Sequence, residues 1–77
     1  MLILNLNLAL CHLKRNAPTD AIKSAKEAIK LDPDSSKGHY RLSKAYKLNN
    51  DLDLSKEHLY KAVTLDPKNK SIREEYE

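Results

Sequence analysis

Apolar and small residues return along this chain at helical spacing. Between 36 and 48, His39, Leu42, Ser43 and Tyr46 make one helix face, and between 51 and 65 Leu52, Ser55, Leu59, Ala62 and Val63 do the same. Leu-Asp-Pro occurs twice, at 31–33 and 65–67. Proline has no amide hydrogen and pushes its predecessor out of the helical region, so helices are predicted to stop at Leu31 and Leu65. Asp34-Ser35-Ser36 and Lys68-Asn69-Lys70-Ser71 then offer side-chain caps for the helices that follow. Internal turns are predicted at Asn16-Ala17-Pro18 and Asn49-Asn50-Asp51, with Pro18 suited to a first helical turn, where its missing amide costs nothing. The pattern predicts helices at 2–14, 17–31, 36–48, 51–65 and 70–76, with no linker long enough to divide the chain.

The first ten residues alternate Leu with Asn and, read alone, would also suit a strand. The rest of the chain decides against that, because the pattern repeats at an offset of 34: Leu8 falls on Leu42, Ala28 on Ala62, Leu31 on Leu65, Asp32 on Asp66 and Pro33 on Pro67. Size is kept where identity is not, as Ala9 meets Ser43, Cys11 meets Ala45, His12 meets Tyr46, Ala21 meets Ser55 and Ile29 meets Val63. Each copy reads as two helices joined by a polar turn, and Ala21, Ala25, Ala28 and Ala62 allow close helix approach.

Composition narrows this reading further. Seventy-seven residues suit one small unit, and 40% hydrophobic with 32% charged residues is too apolar for disorder and too charged for a membrane protein. Phe and Trp are absent and there is one Gly, which favours a helical core of Leu, Ile, Val and Ala over a sheet with glycine turns. The net charge of +3 is below the basic bias of a dedicated nucleic-acid binder. Cys11, the only cysteine, cannot form an intrachain disulfide, so a reducing compartment is expected. The apolar start lacks a preceding basic stretch and a small-residue cleavage site, which argues against a signal peptide.

The helix pairs carrying Leu8-Ala9, His12, Ala21, Ala25, Ala28 and Pro33, then Leu42-Ser43, Tyr46, Ser55, Leu59, Ala62 and Pro67, resemble the tetratricopeptide repeat. Asn5 and His39 stand where that motif favours Trp, and Ala9 and Ser43 where it favours Gly. The resemblance implies an all-α fold and a single domain over 1–77: one repeat at 2–35, a second at 36–69, and a short C-terminal capping helix at 70–77. Leu6 to Lys14 and Lys37 to Arg41 further resemble the last repeats of large immunophilins, the peptidyl-prolyl isomerases with a repeat tail, and of similar chaperone-binding co-chaperones. This implies a preceding repeat. It also implies that the chain is no enzyme itself, though compatible with being the tail of an isomerase whose catalytic domain is absent here.

Candidate chemistry is sparse. His12, His39 and His58 have no metal-ligand spacing, and His12 and His39 are expected to be packing residues. Cys11 is expected to be small and buried like Ala45, and Glu74-Glu75 and Asp51/Asp53 to be solvated. No catalytic residue, metal site or cofactor is expected. Lys37 and Arg41, four apart, lie one above the other, with Lys44 a turn further, and Asn7 occupies Arg41's place one repeat earlier. In the repeats that this chain resembles, the positions of Asn7, Lys37 and Arg41 belong to a carboxylate clamp. It grips the C-terminal Asp of heat-shock chaperones ending in Met-Glu-Glu-Val-Asp. Leu10, Tyr40 and Lys44 are expected to line the same groove.

The resemblance thus implies a cytoplasmic docking module for an acidic chaperone peptide, without nucleic-acid or membrane partners. The alternative is a structural or self-association segment. Leu2, Ile3, Leu4, Leu6 and Leu10 cannot all face one neighbouring helix, so the first helix would pack on a missing repeat or on its own copy.

Overall fold

Helix ends fall where the turn signals place them: α1 Leu2–Lys14, α2 Pro18–Leu31, α3 Ser36–Leu48, α4 Leu52–Leu65 and α5 Lys70–Tyr76. The computed structural model describes residues 2–76. Met1, Glu77 and the side chains of Leu2 and Ile3 lie outside the described residues. With them lie the last residue assigned to the C-terminal helix and two members of the Leu-rich flank.

The two internal turns are built alike. Asn16 and Asn50 take left-handed φ values of 59° and 64°, a region that asparagine tolerates better than most residues. The Ala17 amide donates to the His12 carbonyl and the Asn16 amide to that of Leu13. Asp51 and Asn50 repeat this onto Tyr46 and Lys47, so each helix closes its last carbonyls in a Schellman turn. Ala17 and Asp51, placed inside helices by the sequence pattern, are caps instead, with ψ of 78° and 73°. Ala17 precedes a proline and Asp51 follows a left-handed residue, and neither setting suits a first helical residue. At the other turns, Ser35 Oγ accepts from the Gly38 amide at 3.0 Å, and Asn69 Oδ1 accepts from that of Ile72 at 3.2 Å.

Consecutive helices pack as hairpins, α1 on α2 and α3 on α4, while α2 also packs on α3. α1 touches α3 and α5 reaches α3 through Glu75, so these three helices make one side of the molecule, with α2 and α4 behind them, across a shortest dimension of 17 Å. One core cluster gathers Ala9, Ala25, Leu42 and Tyr46, flanked by Ile22 and Ile29; a second gathers Leu59, Ala62 and Ile72, flanked by Tyr40 and Val63. Ala21, Ala25, Ala28 and Ala62 have no exposed surface, which is how the helices come close. Gly38 serves the same end, since a Cβ there would stand 3.2 Å from Ile29 Cγ1 of α2.

Three expectations change. Leu52 is exposed rather than part of the buried α4 face, because the short α5 does not extend over the first turn of α4. Leu6 is buried, so it does not belong to the bare flank of α1. Cys11 is exposed although its counterpart Ala45 is buried. The reason is that α2 covers Ala45's side of α3, and among the described residues no helix covers the matching side of α1.

Candidate functional site

The face formed by α1, α3 and α5 carries the residues singled out from sequence. Arg41, in the middle of α3, is half-buried, and its Nη1 donates to the Leu6 carbonyl at 2.6 Å. That oxygen belongs to the peptide linking Leu6 to Asn7, so the bond brings the guanidinium to the part of α1 that carries Asn7. Arginine has five N–H donors, and this bond uses one. Asn7 is exposed, and so is Lys37, one turn before Arg41. Lys37 forms no ion pair among the described residues. Leu10 is half-buried one turn beyond Leu6.

Tyr40 and Lys44 form a unit of their own. Tyr40 packs against the Leu59–Ala62–Ile72 cluster, and the Lys44 ammonium stands 5.1 Å from the centre of its ring. Lys44 Nζ also lies 3.5 Å from Glu75 Oε1, and Lys47 Nζ lies 3.8 Å from Glu75 Oε2. Partial burial works against the Lys44 charge, but Tyr40 and the Glu75 carboxylate outweigh it and hold the pKa above the usual lysine value. Glu75, expected to be solvated, is therefore committed to α3. The signal was in the sequence, because Glu75 lies 34 residues after Arg41 and shares its place in the repeat.

A cavity of about 670 Å³ opens beside this pair, lined by Lys44 and Lys47 of α3, Leu52, Lys56 and Leu59 of α4, and Tyr76 of α5 among others. A smaller one of about 430 Å³ lies between Tyr40 and the α5 residues Ser71, Glu74 and Glu75.

His39 and His58 act as packing groups, whereas the buried Nδ1 of His12 meets no hydrogen-bond partner among the described residues. His39 is buried, its Nε2 lies 2.9 Å from the Pro33 carbonyl and its Nδ1 lies 3.2 Å from His58 Nδ1. A carbonyl can only accept, so the His39 proton sits on Nε2 and His58 donates from Nδ1. The His58 ring stacks between those of His39 and Tyr46, at 5.4 and 5.6 Å between centres. Sequence reasoning gave His58 no part in this, because its counterpart one repeat earlier is Ser24. Among the described residues no cluster of three or more His, Cys, Asp or Glu could hold a metal ion, and no helix is long and apolar enough to cross a membrane.

Comparison with known proteins agrees with this architecture. The profile of the tetratricopeptide repeat matches residues 3–35 and 36–69. Peptidyl-prolyl cis-trans isomerase FKBP4 of Mus musculus is 41% identical over 69 residues, 90% of this chain and 15% of the relative. Heat shock protein STI1 of Saccharomyces cerevisiae is 35% identical over 72 residues, 94% of this chain and 12% of the relative. The C-terminal repeat-containing domain of a Plasmodium falciparum FK506-binding protein superposes with a TM-score of 0.88 at 40% identity. That match covers 94% of this chain and 48% of the solved one. The chain thus spans about one seventh of the isomerase it matches.

Proposed function

This chain belongs to the tetratricopeptide repeat family, whose members are protein-interaction modules, and on that premise we propose that it docks the free C-terminal carboxylate of an acidic heat-shock-chaperone peptide, of the Met-Glu-Glu-Val-Asp type. It does so without catalysis. Asn7, Lys37 and Arg41 form the carboxylate clamp, and Leu10, Tyr40 and Lys44 line the groove beside it. The observation that carries the reading is Arg41, tied to the Leu6 carbonyl beside Asn7 and left with further N–H donors, one turn from an exposed Lys37 that has no ion-pair partner among the described residues. A planar guanidinium grips a carboxylate in two-pronged fashion, an ammonium adds a point charge, and an amide donates to or accepts from the peptide backbone. A cytoplasmic setting fits the lone exposed thiol of Cys11.

The test is a titration with matched peptides ending in a free acid and in an amide. Charge-assisted hydrogen bonds are worth about 1.5 to 3 kcal/mol each, so losing one costs about ten- to a hundred-fold in affinity. Lys37→Ala weakens binding of the acid while helicity and melting stay unchanged, because Lys37 stands in solvent. Arg41→Ala weakens binding too, but it also removes the tie to α1 and lowers melting. Equal affinity for acid and amide refutes the reading.

A second reading rests on the bare side of α1. Leu4 and Leu8 are 55% and 38% exposed, and Cys11 is exposed beside them, whereas their counterparts Gly38, Leu42 and Ala45 are buried. In this reading the chain is a structural segment whose first helix packs on another repeat or on its own copy, and sedimentation distinguishes the two.

A further inference from the structure

Positions 34 apart align across the layer formed by α1, α3 and α5, so Asn7, Arg41 and Glu75 make one row. An amide, a guanidinium and a carboxylate occupy it in turn. The last two both reach back onto the preceding helix: Arg41 donates to Leu6 of α1, and Glu75 holds Lys44 and Lys47 of α3. Lys44 belongs to the same helical stripe as Lys37 and Arg41, which places this basic stripe in two different states. Among the described residues Lys37 forms no ion pair, whereas Lys44 and Lys47 share the Glu75 carboxylate, which offsets one of their two charges. Glu75 is also better shielded than a typical surface carboxylate. Its side chain is 33% exposed, against 65% for Glu74 in the ion pair with Lys70.

We propose that Glu75 is a specificity-determining residue of the groove, an internal carboxylate that occupies Lys44 and Lys47 so that a ligand anion is accepted at Lys37 and Arg41 alone. The inference rests on the carboxylate-docking reading. A second acid on the ligand reaches Lys44 only by displacing Glu75, since two carboxylates crowded onto the same ammonium groups repel each other. Lys44 and Lys47 lie one and two turns beyond Arg41, about 4.5 and 9 Å along the axis. An extended peptide covers those distances in about one to three residues, so the excluded acid lies one to three places before the terminus. The native protein is therefore nearly indifferent to Glu or Gln there. Charge at the terminus is read, and charge just upstream is not.

The experiment uses three peptides of one length: free acid with Glu at the two upstream positions, free acid with Gln there, and the Glu peptide as its amide. Glu75→Gln is expected to raise affinity for the Glu peptide by about two- to five-fold, the range of a surface ion pair, and to leave the Gln peptide unchanged. In a Lys44→Gln, Lys47→Gln background that gain disappears. With Glu75 intact, Lys47→Gln leaves the ratio of affinities for the Glu and Gln free-acid peptides as in the native protein, because Glu75 already occupies that lysine and keeps Lys44 as its partner. This arm also decides the matter if Glu75→Gln loosens α5. The inference is overturned if Glu75→Gln improves both free-acid peptides equally or neither, or if Lys47→Gln with Glu75 intact selectively loses affinity for the Glu peptide. Failure of the docking reading has a separate signature, since the native protein would then fail to tell the acid from the amide.

Discussion

His58 shows how much one side chain can depend on its neighbours. It stacks between His39 and Tyr46 and donates to His39, and its pKa lies below the ordinary 6.5 because burial disfavours its charged form, with His39, Lys61 and Lys26 adding to that effect against Glu57. A group with a lowered folded pKa binds fewer protons folded than unfolded as the pH drops below the unfolded value. Its stabilisation is therefore complete above pH 6.5 and is lost as the pH falls through the folded pKa. Melting curves between pH 8 and 5 are expected to fall in that lower range, and His58→Gln to flatten the fall. An identical pH profile for the variant would place the acid sensitivity elsewhere.

Among the elements, the contrast is between helix ends and helix faces. Ends follow local chemistry: Pro33 and Pro67, the left-handed Asn16 and Asn50, and the caps Ser35 and Asn69 all act within a few residues of the chain. Faces depend on which helix lies opposite. The small residues Ala28 and Ala62 are fully buried at matching places in α2 and α4, and each is surrounded by close helix contacts. In repeat two, Ser43 and Ser55 replace Ala9 and Ala21, and the Ser55 hydroxyl donates to the Ser43 carbonyl at 2.8 Å, so the substitution adds a tie between α3 and α4 instead of a buried unpaired hydroxyl. Ala28→Leu or Ala62→Leu inserts three carbons into such a contact and is expected to cost about 1 to 3 kcal/mol. For a domain of this size that lowers the melting temperature by about 4 to 8 °C per kcal/mol, measurable by circular dichroism. A wild-type melting curve for both variants would mean that the interhelical spacing yields freely.

On the scale of the whole molecule, stacked repeats bury a continuous core only against one another, and the described chain offers two repeats and a short fifth helix. The exposed Leu4 and Leu8 of α1 are the result. Any covering helix also meets Leu4 where α2 meets Gly38, so it needs a small residue there or a wider separation than the α2–α3 pair. Burying each leucine is worth about 1.5 to 3 kcal/mol, a large fraction of what a chain this short can muster. The isolated chain is expected to self-associate through α1 as concentration rises. Leu4→Ser with Leu8→Ser should keep it monomeric in sedimentation without loss of helix, since neither side chain fills the internal core. A native chain that stays monomeric at high concentration would count against the self-association reading.

The order and length of the helices were legible from sequence because they rest on interactions a few residues apart: helical spacing of small and apolar residues, proline stops, asparagine turns. The repeat offset added the pairing of helices and brought Asn7, Lys37 and Arg41 into one candidate set. Burial was not legible in the same way. Cys11 and Ala45, or Leu8 and Leu42, hold equivalent places in the two copies, yet one of each pair is exposed and the other buried, because α2 lies over that side of α3 and no described helix lies over the matching side of α1. The half-buried state of Arg41, the stack of His58 on His39, and the capture of Lys44 and Lys47 by Glu75 likewise needed the packed structure. Each joins residues from different helices, and a periodic pattern places a side chain on a face without saying what stands opposite.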